Sequence, residues 1–328
     1  MNTLYDRLTI VRERVKKTNK QSVLIIQQHP GTDMDYLYFP PIRESISSII
    51  FFAEVSTPQQ VKDILDSVSS EIDRFIVDID KKRCNSVDII SEVERYPLNV
   101  KLLYYSDYDV WGAAAVDFIS QIEGSLSDKN VLIYGLNYLT TRVIRKLLEI
   151  GANVFTDDED KSNEYPLDMY NTVRFNSGYL HKISEYSGDL DIIIGGEVLT
   201  PIKNLNYGKY SRSVYDIGLG NFSKEFIESC YCHGSNIYRF DNRAGLSSVV
   251  LGLMETDYLI TNNMGKVKVG QIDVVSGGVL GTEDSIVVDN AFSPEYVFGV
   301  ADGKGMFKSE LSKKNVEDLK AIKALIEK

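Results

Sequence analysis

Two consecutive α/β domains with a β-rich extension behind them are the fold class this sequence predicts, and three observations predict it. Short runs rich in Ile, Val, Phe and Tyr alternate with segments of helical spacing from about residue 20 to 260. The chain has 328 residues, enough for two domains that each bury a core. From residue 265 to 305 the alternation gives way to Gly- and Val-rich sequence that reads as β-hairpins, with a long turn at 276–282. The expected boundaries are 1–124, 125–264 and 265–309. A last helix at 313–328 is read as returning to complete the first domain, so that 310–328 would belong with 1–124.

The first domain is expected to hold strands at 22–28, 47–53, 74–79 and 100–105. These are short and apolar, as buried strands of a mostly parallel sheet should be. An amphipathic helix precedes them over residues 1–20. Helices are expected at 58–72, 87–96 and 109–124. Ser56 and Thr57 before Pro58 make a good helix start.

The second domain opens with KNVLIYGLNYLTTRVIRKLLEIGANVFTDD, residues 129–158. Val131 to Tyr134 is a strand that ends at Gly135. Val143, Ile144, Leu147 and Leu148 follow at helical spacing, Gly151 stops the helix, and Asn153 to Phe155 begins the next strand. Asp157 and Asp158 come 22 and 23 residues after Gly135. This is the plan of a dinucleotide-binding βαβ unit, with pyrophosphate at the helix N-terminus and an acid on the ribose hydroxyls. The glycine pattern G-x-G-x-x-G would need glycine at 135, 137 and 140. The chain has Gly135, Asn137 and Thr140, and Thr140 and Thr141 can offer hydroxyls to a phosphate. The alternative is an ordinary crossover that binds nothing. A carboxylate at Asp157 or Asp158 favours NAD over NADP, because it accepts from both ribose hydroxyls and repels a 2′-phosphate. Further on, strands are expected at 172–175, 191–195, 213–217 and 236–240, with helices at 177–186, 222–230 and 246–260. Gly195, Gly196 and Gly218 close two of these strands, where a nicotinamide or its ribose can approach bare backbone. Asn242 and Arg243 open the last helix, and Arg243 suits a carboxylate. Tyr36, after the first strand, is a candidate for the substrate pocket.

Four segments in this order resemble the shikimate dehydrogenase and methylenetetrahydrofolate dehydrogenase group of two-domain enzymes. Ser106-Asp107-Tyr108-Asp109-Val110-Trp111-Gly112 stands where those enzymes carry an Asn-Thr-Asp-x-x-Gly-like segment. Asp78-Ile79-Asp80-Lys81-Lys82-Arg83 stands where they carry a catalytic Lys. Residues 192–196 and Tyr215-Asp216-Ile217-Gly218-Leu219-Gly220-Asn221 are similar to two strand ends of the folate enzymes. The resemblance implies a substrate domain first, a connecting helix, and then a Rossmann-like nucleotide-binding domain. It implies catalytic roles for Asp109 and for one of Lys81 and Lys82. In that chemistry the Asp orients the ammonium, and burial or a neighbouring Lys lowers the proton affinity of the catalytic one. The alternatives are a solvated Lys81-Lys82 loop and an N-cap at Asp109.

Bulk properties exclude several classes. Net charge is −11, which argues against a general nucleic-acid binder. Apolar residues make up 43% and charged residues 25%, with no apolar run of membrane-spanning length. The N-terminal segment lacks a signal-peptide core, so a cytoplasmic location is expected. Cys84, Cys230 and Cys232 suggest neither a disulfide framework nor a metal site. The expected function is an NAD(P)-dependent dehydrogenase, NAD favoured, acting on a small polar metabolite such as an amino acid, hydroxy acid or imine. The alternatives are a non-redox nucleotide-binding protein and a scaffold. An oligomer contact through 265–305, giving a homodimer, is one reading of the extension, beside an edge addition or a lid.

Overall fold

The computed structural model describes residues 3–29, 35–68, 72–82, 87–96, 101–156, 179–183, 186–196, 202, 211–218, 220–241, 243–276 and 278–326. Two compact units divide them, residues 1–249 and 250–328. The first unit holds two sheets.

The first sheet contains β1 (Gln21–Gln28), β2 (Arg43–Glu44), β3 (Ser48–Val55), β4 (Arg74–Asp78) and β5 (Leu102–Tyr105), in the order β2-β3-β1-β4-β5. The short β2 runs antiparallel to β3, and the other pairs are parallel. From Ser22 to Gln28 every residue of β1 is buried, so the strand reads as a continuous apolar run and not as an alternation. Helices α1 (Leu4–Thr18), α2 (Pro58–Val68) and α3 (Ile89–Glu94) pack on it, with Leu8, Val11, Ile64, Leu65 and Val93 in one core with Leu24, Phe51 and Phe75. The chain runs from β1 to β3 on one side and then crosses to β4 on the other. The carboxyl ends of β1 and β4 therefore flank a topological switch point, where open α/β sheets bind ligands.

The second sheet contains β6 (Asn130–Tyr134), β7 (Asn153–Thr156), β8 (Tyr179–Lys182), β9 (Leu190–Gly195), β10 (Ser211–Asp216) and β11 (Asn236–Arg239). All its pairs are parallel, in the order β11-β10-β9-β6-β7-β8. Counted from β6 this is 6-5-4-1-2-3, the doubly wound dinucleotide-binding order, with its switch point between β6 and β9. The helix expected at 177–186 is corrected here: Tyr179 to Lys182 pair with β7 and form the outer strand β8. Sheet pairing overrides a weak local pattern. The strand expected at 172–175 lies outside the described residues.

Helix α4 (Asp107–Glu123) joins the two sheets. Its start sits at the carboxyl end of β5, and Ala114, Ala115, Val116 and Ile119 enter the core of the second sheet with Val131, Val143 and Tyr215. It packs on α5 (Tyr138–Ile150) closely enough that a Cβ on Gly112 would stand 2.9 Å from Arg142 Cβ. Helices α6 (Lys224–Cys232) and α7 (Arg243–Asn262) complete the order, α7 running across the boundary between the two units.

The second unit is a four-stranded sheet of β12 (Lys266–Val269), β13 (Ile272–Ser276), β14 (Ile286–Val288) and β15 (Val297–Val300). β12 and β13 form the expected hairpin, with Gly270 at positive φ (62°) in its two-residue turn. The region is not built of hairpins alone, because β13 and β14 pair in parallel. Helix α8 (Lys313–Ile326) packs Ile322 against Val274, Ile286 and Val300. The last helix thus covers this sheet and does not complete the first domain, because its apolar stripe of Leu319, Ile322 and Ile326 meets the apolar face of these strands.

Gly112→Val is expected to cost about 1–3 kcal/mol by overpacking the α4–α5 contact. Gly252→Ala, at a helical position with no heavy atom within 4 Å, is expected to gain up to about 1 kcal/mol. Urea denaturation of both variants checks the pair; equal effects would contradict the close approach of α4 and α5.

Candidate functional site

A row of polar residues closes the apolar strands of the first sheet. Glu54 pairs with Gln27 across β3 and β1, and Asp78 with Tyr105 across β4 and β5. Ile26 pairs with Val77, which sets Gln27 beside Asp78. Neighbours in a parallel register point to the same face, so four polar side chains stand side by side at the carboxyl edge. Gln27 Nε2 donates to Glu54 Oε1 at 2.8 Å. The Tyr105 hydroxyl lies 3.4 Å from both Gln27 Oε1 and Asp107 Oδ1. His29, just past β1, extends the row: its Nδ1 lies 2.6 Å from the second Glu54 oxygen.

Lys82 anchors the other end. Its Nζ lies 2.7 Å from Asp107 Oδ2 and 3.1 Å from Asp78 Oδ2, and its side chain is 5% exposed. Burial alone would lower its pKa, but the Asp107 and Asp78 carboxylates outweigh burial and hold the proton more tightly than usual. Asp78 carries the strain of burial. Desolvation pushes its carboxyl up to about 6, against the pull of Lys82 and with a further push from Asp107. Burial and the neighbouring carboxylates also push the Tyr105 hydroxyl well above its ordinary range.

The same acids hold the start of α4. Asp78 Oδ1 accepts from the Asp107 N–H (3.1 Å) and Asp80 Oδ2 from the Tyr108 N–H (2.7 Å). The Ser106 hydroxyl donates to Asp80 and caps the helix by accepting from the Asp109 N–H.

Two expectations are corrected here. Asp109 is not the partner of Lys82. The helix begins two residues earlier than expected, with Ser106 as its cap. Asp109 therefore points about 200° around the axis from Asp107. It is largely exposed and pairs with Arg142 of α5. Nor is the proton affinity of Lys82 lowered, because two carboxylates and not a second lysine face it. Lys81 is exposed, and no described ion pair joins it to Asp78 or Asp107.

At the second sheet, Gly135 closes β6 with φ at 82°, a backbone that favours glycine. Asn137 caps α5. Its Oδ1 accepts from the N–H groups of Leu139 (2.9 Å) and Thr140 (3.0 Å), and its Nδ2 donates to Gly196 O (2.7 Å) across the switch point. Two helix-terminal amides converging on one oxygen are the donor set that a phosphate oxygen meets. The turn fits a pyrophosphate group with the Asn137 carboxamide in the place of one phosphate oxygen. The Thr140 hydroxyl is already engaged. The residue is fully buried, and its Oγ1 accepts from the Asn137 N–H at 2.8 Å. The Thr141 hydroxyl donates to Tyr138 O within its own helix.

Gly195 and Gly196 serve packing at this edge. A Cβ on Gly196 would stand 2.0 Å from Thr140 Cγ2, and one on Gly195 2.6 Å from Asn221 Cβ. The Gly218 N–H donates to Gly195 O. Tyr36 is 56% exposed and does not join the polar row. Arg243 opens α7. Asp157, Asp158 and Asn242 lie outside the described residues. Gln27, Glu54, Asp78, Tyr105 and Asp107 are the residues that motif reading missed. Their signal is a polar residue ending each buried strand, or just past it.

No protein-family model matches the chain, and no curated protein matches it. Solved structures similar to it include a chorismate mutase/shikimate 5-dehydrogenase fusion protein from Clostridium acetobutylicum (10% identity, 73% of this chain and 92% of that one, TM-score 0.41). Another is a shikimate dehydrogenase in complex with NADP+ (14%, 74% and 90%, TM-score 0.40). A third is L-tryptophan dehydrogenase from Nostoc punctiforme (14%, 64% and 62%, TM-score 0.37). The fold class, two α/β domains with parallel sheets, stands on the strand orders themselves. Among the described residues no helix is long and apolar enough to cross a membrane.

Removing the buried cation leaves two carboxylates facing each other. Lys82→Met is expected to cost about 3–5 kcal/mol, and the exposed Lys81→Met less than about 0.5 kcal/mol, both read by urea denaturation. The raised pKa of Asp78 has a definite sign. The folded state binds this proton more tightly than the unfolded chain, so the contribution is fully present below the ordinary carboxylate pKa and is lost as pH rises through about 6. The stability of the wild type relative to Asp78→Asn should therefore fall between about pH 4 and 6.5. A difference that stays flat over that window would contradict the assignment.

Proposed function

We propose that this chain is a nicotinamide-nucleotide-dependent oxidoreductase that takes a small polar metabolite, such as an amino acid, hydroxy acid or imine, at the carboxyl edge of its first sheet. One observation carries the reading: a six-stranded sheet in the dinucleotide-binding order, with two amides at its switch point converging on the Asn137 carboxamide oxygen. When bound, the nicotinamide supplies or removes hydride. The chain's own residues do the rest. Leu139 and Thr140 give their N–H groups to a phosphate oxygen once the Asn137 side chain turns away. Asp157 and Asp158 accept from the ribose hydroxyls, which favours NAD over NADP. Lys82, held as a cation, presents fixed positive charge beside Asp107 and donates to the substrate's polar group. Asn242, Arg243 and Tyr36 are assigned to substrate contacts.

A second reading, a non-redox nucleotide-binding or scaffold role, is favoured by one feature. The Asn137–Thr140 capping box satisfies the turn without a ligand. Thermal unfolding with NAD, NADH, NADP, NADPH and S-adenosylmethionine separates the two. Linkage gives about 2.7 kcal/mol of stabilisation at a hundred times the dissociation constant. NAD or NADH is expected to produce it. Asn137→Gly is expected to weaken the unliganded protein by a few tenths of a kcal/mol or more while leaving nucleotide affinity equal or higher. No shift with any nicotinamide nucleotide would favour the second reading.

A further inference from the structure

We infer that His29 and Glu54 form a proton-transfer dyad in which His29 Nε2 takes and returns the substrate's proton and Glu54 is the positioning residue. The inference rests on the oxidoreductase reading for its hydride acceptor, but the dyad itself stands on geometry. His29 follows β1 and Glu54 is the penultimate residue of β3, adjacent parallel strands at the sheet's carboxyl edge, and β1 is one of the two strands that flank the switch point. Both Glu54 oxygens are fixed: Gln27 Nε2 donates to Oε1 at 2.8 Å, and His29 Nδ1 meets Oε2 at 2.6 Å. The His29 backbone N–H is fixed as well, donating to Val55 O at 3.0 Å. An ionised carboxylate only accepts, so Nδ1 must carry hydrogen, and in the neutral ring Nε2 is then a bare acceptor. A carboxylate that fixes the ring tautomer so that the far nitrogen can act on a reactant is the arrangement that general base catalysis uses.

Three observations single out this pair. Lys82, one of the two lysines between which the resemblance leaves the choice open, is clamped between two carboxylates that oppose release of its proton. His29 and Glu54 keep 13% and 11% of their side-chain surface, so the dyad is largely dry but reachable. Among the described residues, Gln27 holds Glu54, the edge-on ring of Tyr38 lies 6.1 Å from the His29 ring, and no hydrogen bond engages Nε2.

The substrate class is a secondary alcohol, or its ketone in reverse. In the oxidative direction the substrate's O–H bond breaks and its proton forms a bond to His29 Nε2. The C–H bond breaks with its electron pair, which leaves as hydride to NAD(P)+. The oxygen's freed pair forms the second C–O bond of the ketone. The imidazolium then loses the proton to solvent.

The first arm of the test reads the ring directly, by long-range nitrogen–proton correlation on the full chain with labelled histidine. The sequence has three histidines, so His→Asn variants at 29, 181 and 233 assign every signal. His29 should be the Nδ1–H tautomer near neutral pH and should revert towards the Nε2–H form in Glu54→Gln. An Nε2–H tautomer in the wild type overturns the proposal. The second arm screens secondary alcohols and 2-hydroxy acids by nicotinamide absorbance, with nucleotide binding followed by thermal shift. His29→Asn should lower kcat at least a hundredfold with KM within threefold and nucleotide binding intact. Glu54→Gln should lower kcat about tenfold and move the acid limb of the pH profile. Undiminished turnover in His29→Asn overturns the proposal. Absence of nucleotide binding, with the tautomer as expected and reverting in Glu54→Gln, sinks the oxidoreductase reading and supports the dyad as an acid–base pair.

Discussion

The buried ammonium of Lys82 is the interaction on which the first unit turns. It sits between Asp78, the last residue of β4, and Asp107, the first residue of α4. Asp78 and Asp80 also receive the first free N–H groups of that helix. One cation thus ties strand end, loop and helix start into a single knot. Because α4 then buries its apolar face in the core of the second sheet, the knot fixes where that helix leaves the first sheet. A buried pair is weak evidence for stability against an apolar replacement, but breaking it by removing one partner is costly. The knot is better understood as a device that specifies geometry than as a source of net stability.

The same knot ends a polar row across the sheet. From Lys82 it passes through Asp107, Tyr105, Gln27 and Glu54 to His29. One end is a cation that cannot readily lose its proton. The other is the His29 imidazole, held by Glu54. On the proposed reading the division separates electrostatic binding from proton transfer. At the switch point of the second sheet the described hydrogen bonds are between neutral groups. Asn137, Thr140 and Gly196 interlock there, and the helix end is satisfied by a neutral carboxamide.

Much of this was legible in the sequence. The βαβ unit at 129–156, the strands at 22–28 and 74–79 and the start of α2 at Pro58 followed from apolar runs, Gly stops and capping signals. Strand β8 did not, because four residues of an outer strand carry too little pattern and are fixed by pairing with β7. The fate of α8 was also hidden: an apolar stripe says that a helix is covered, not by which sheet. At the site, Lys82 was visible beside Lys81 in the loop after β4, but which lysine is buried depends on the path of that loop. Asp109 misled because its local sequence suits a helix start, whereas Ser106 takes the cap and turns Asp107 towards the lysine. The polar row needed registers: Gln27, Glu54, Asp78 and Tyr105 lie far apart in sequence and become neighbours only when four strands align.

The central claim is that a dinucleotide phosphate takes the place of the Asn137 carboxamide at the start of α5. Its most direct test is the amide spectrum of the nitrogen-labelled chain on titration with NADH. The account predicts saturable shifts of the backbone N–H signals of Leu139 and Thr140, together with the side-chain NH2 of Asn137 as it leaves Gly196 O. Signals of Leu139, Thr140 and Asn137 that stay fixed at saturating NADH would contradict it.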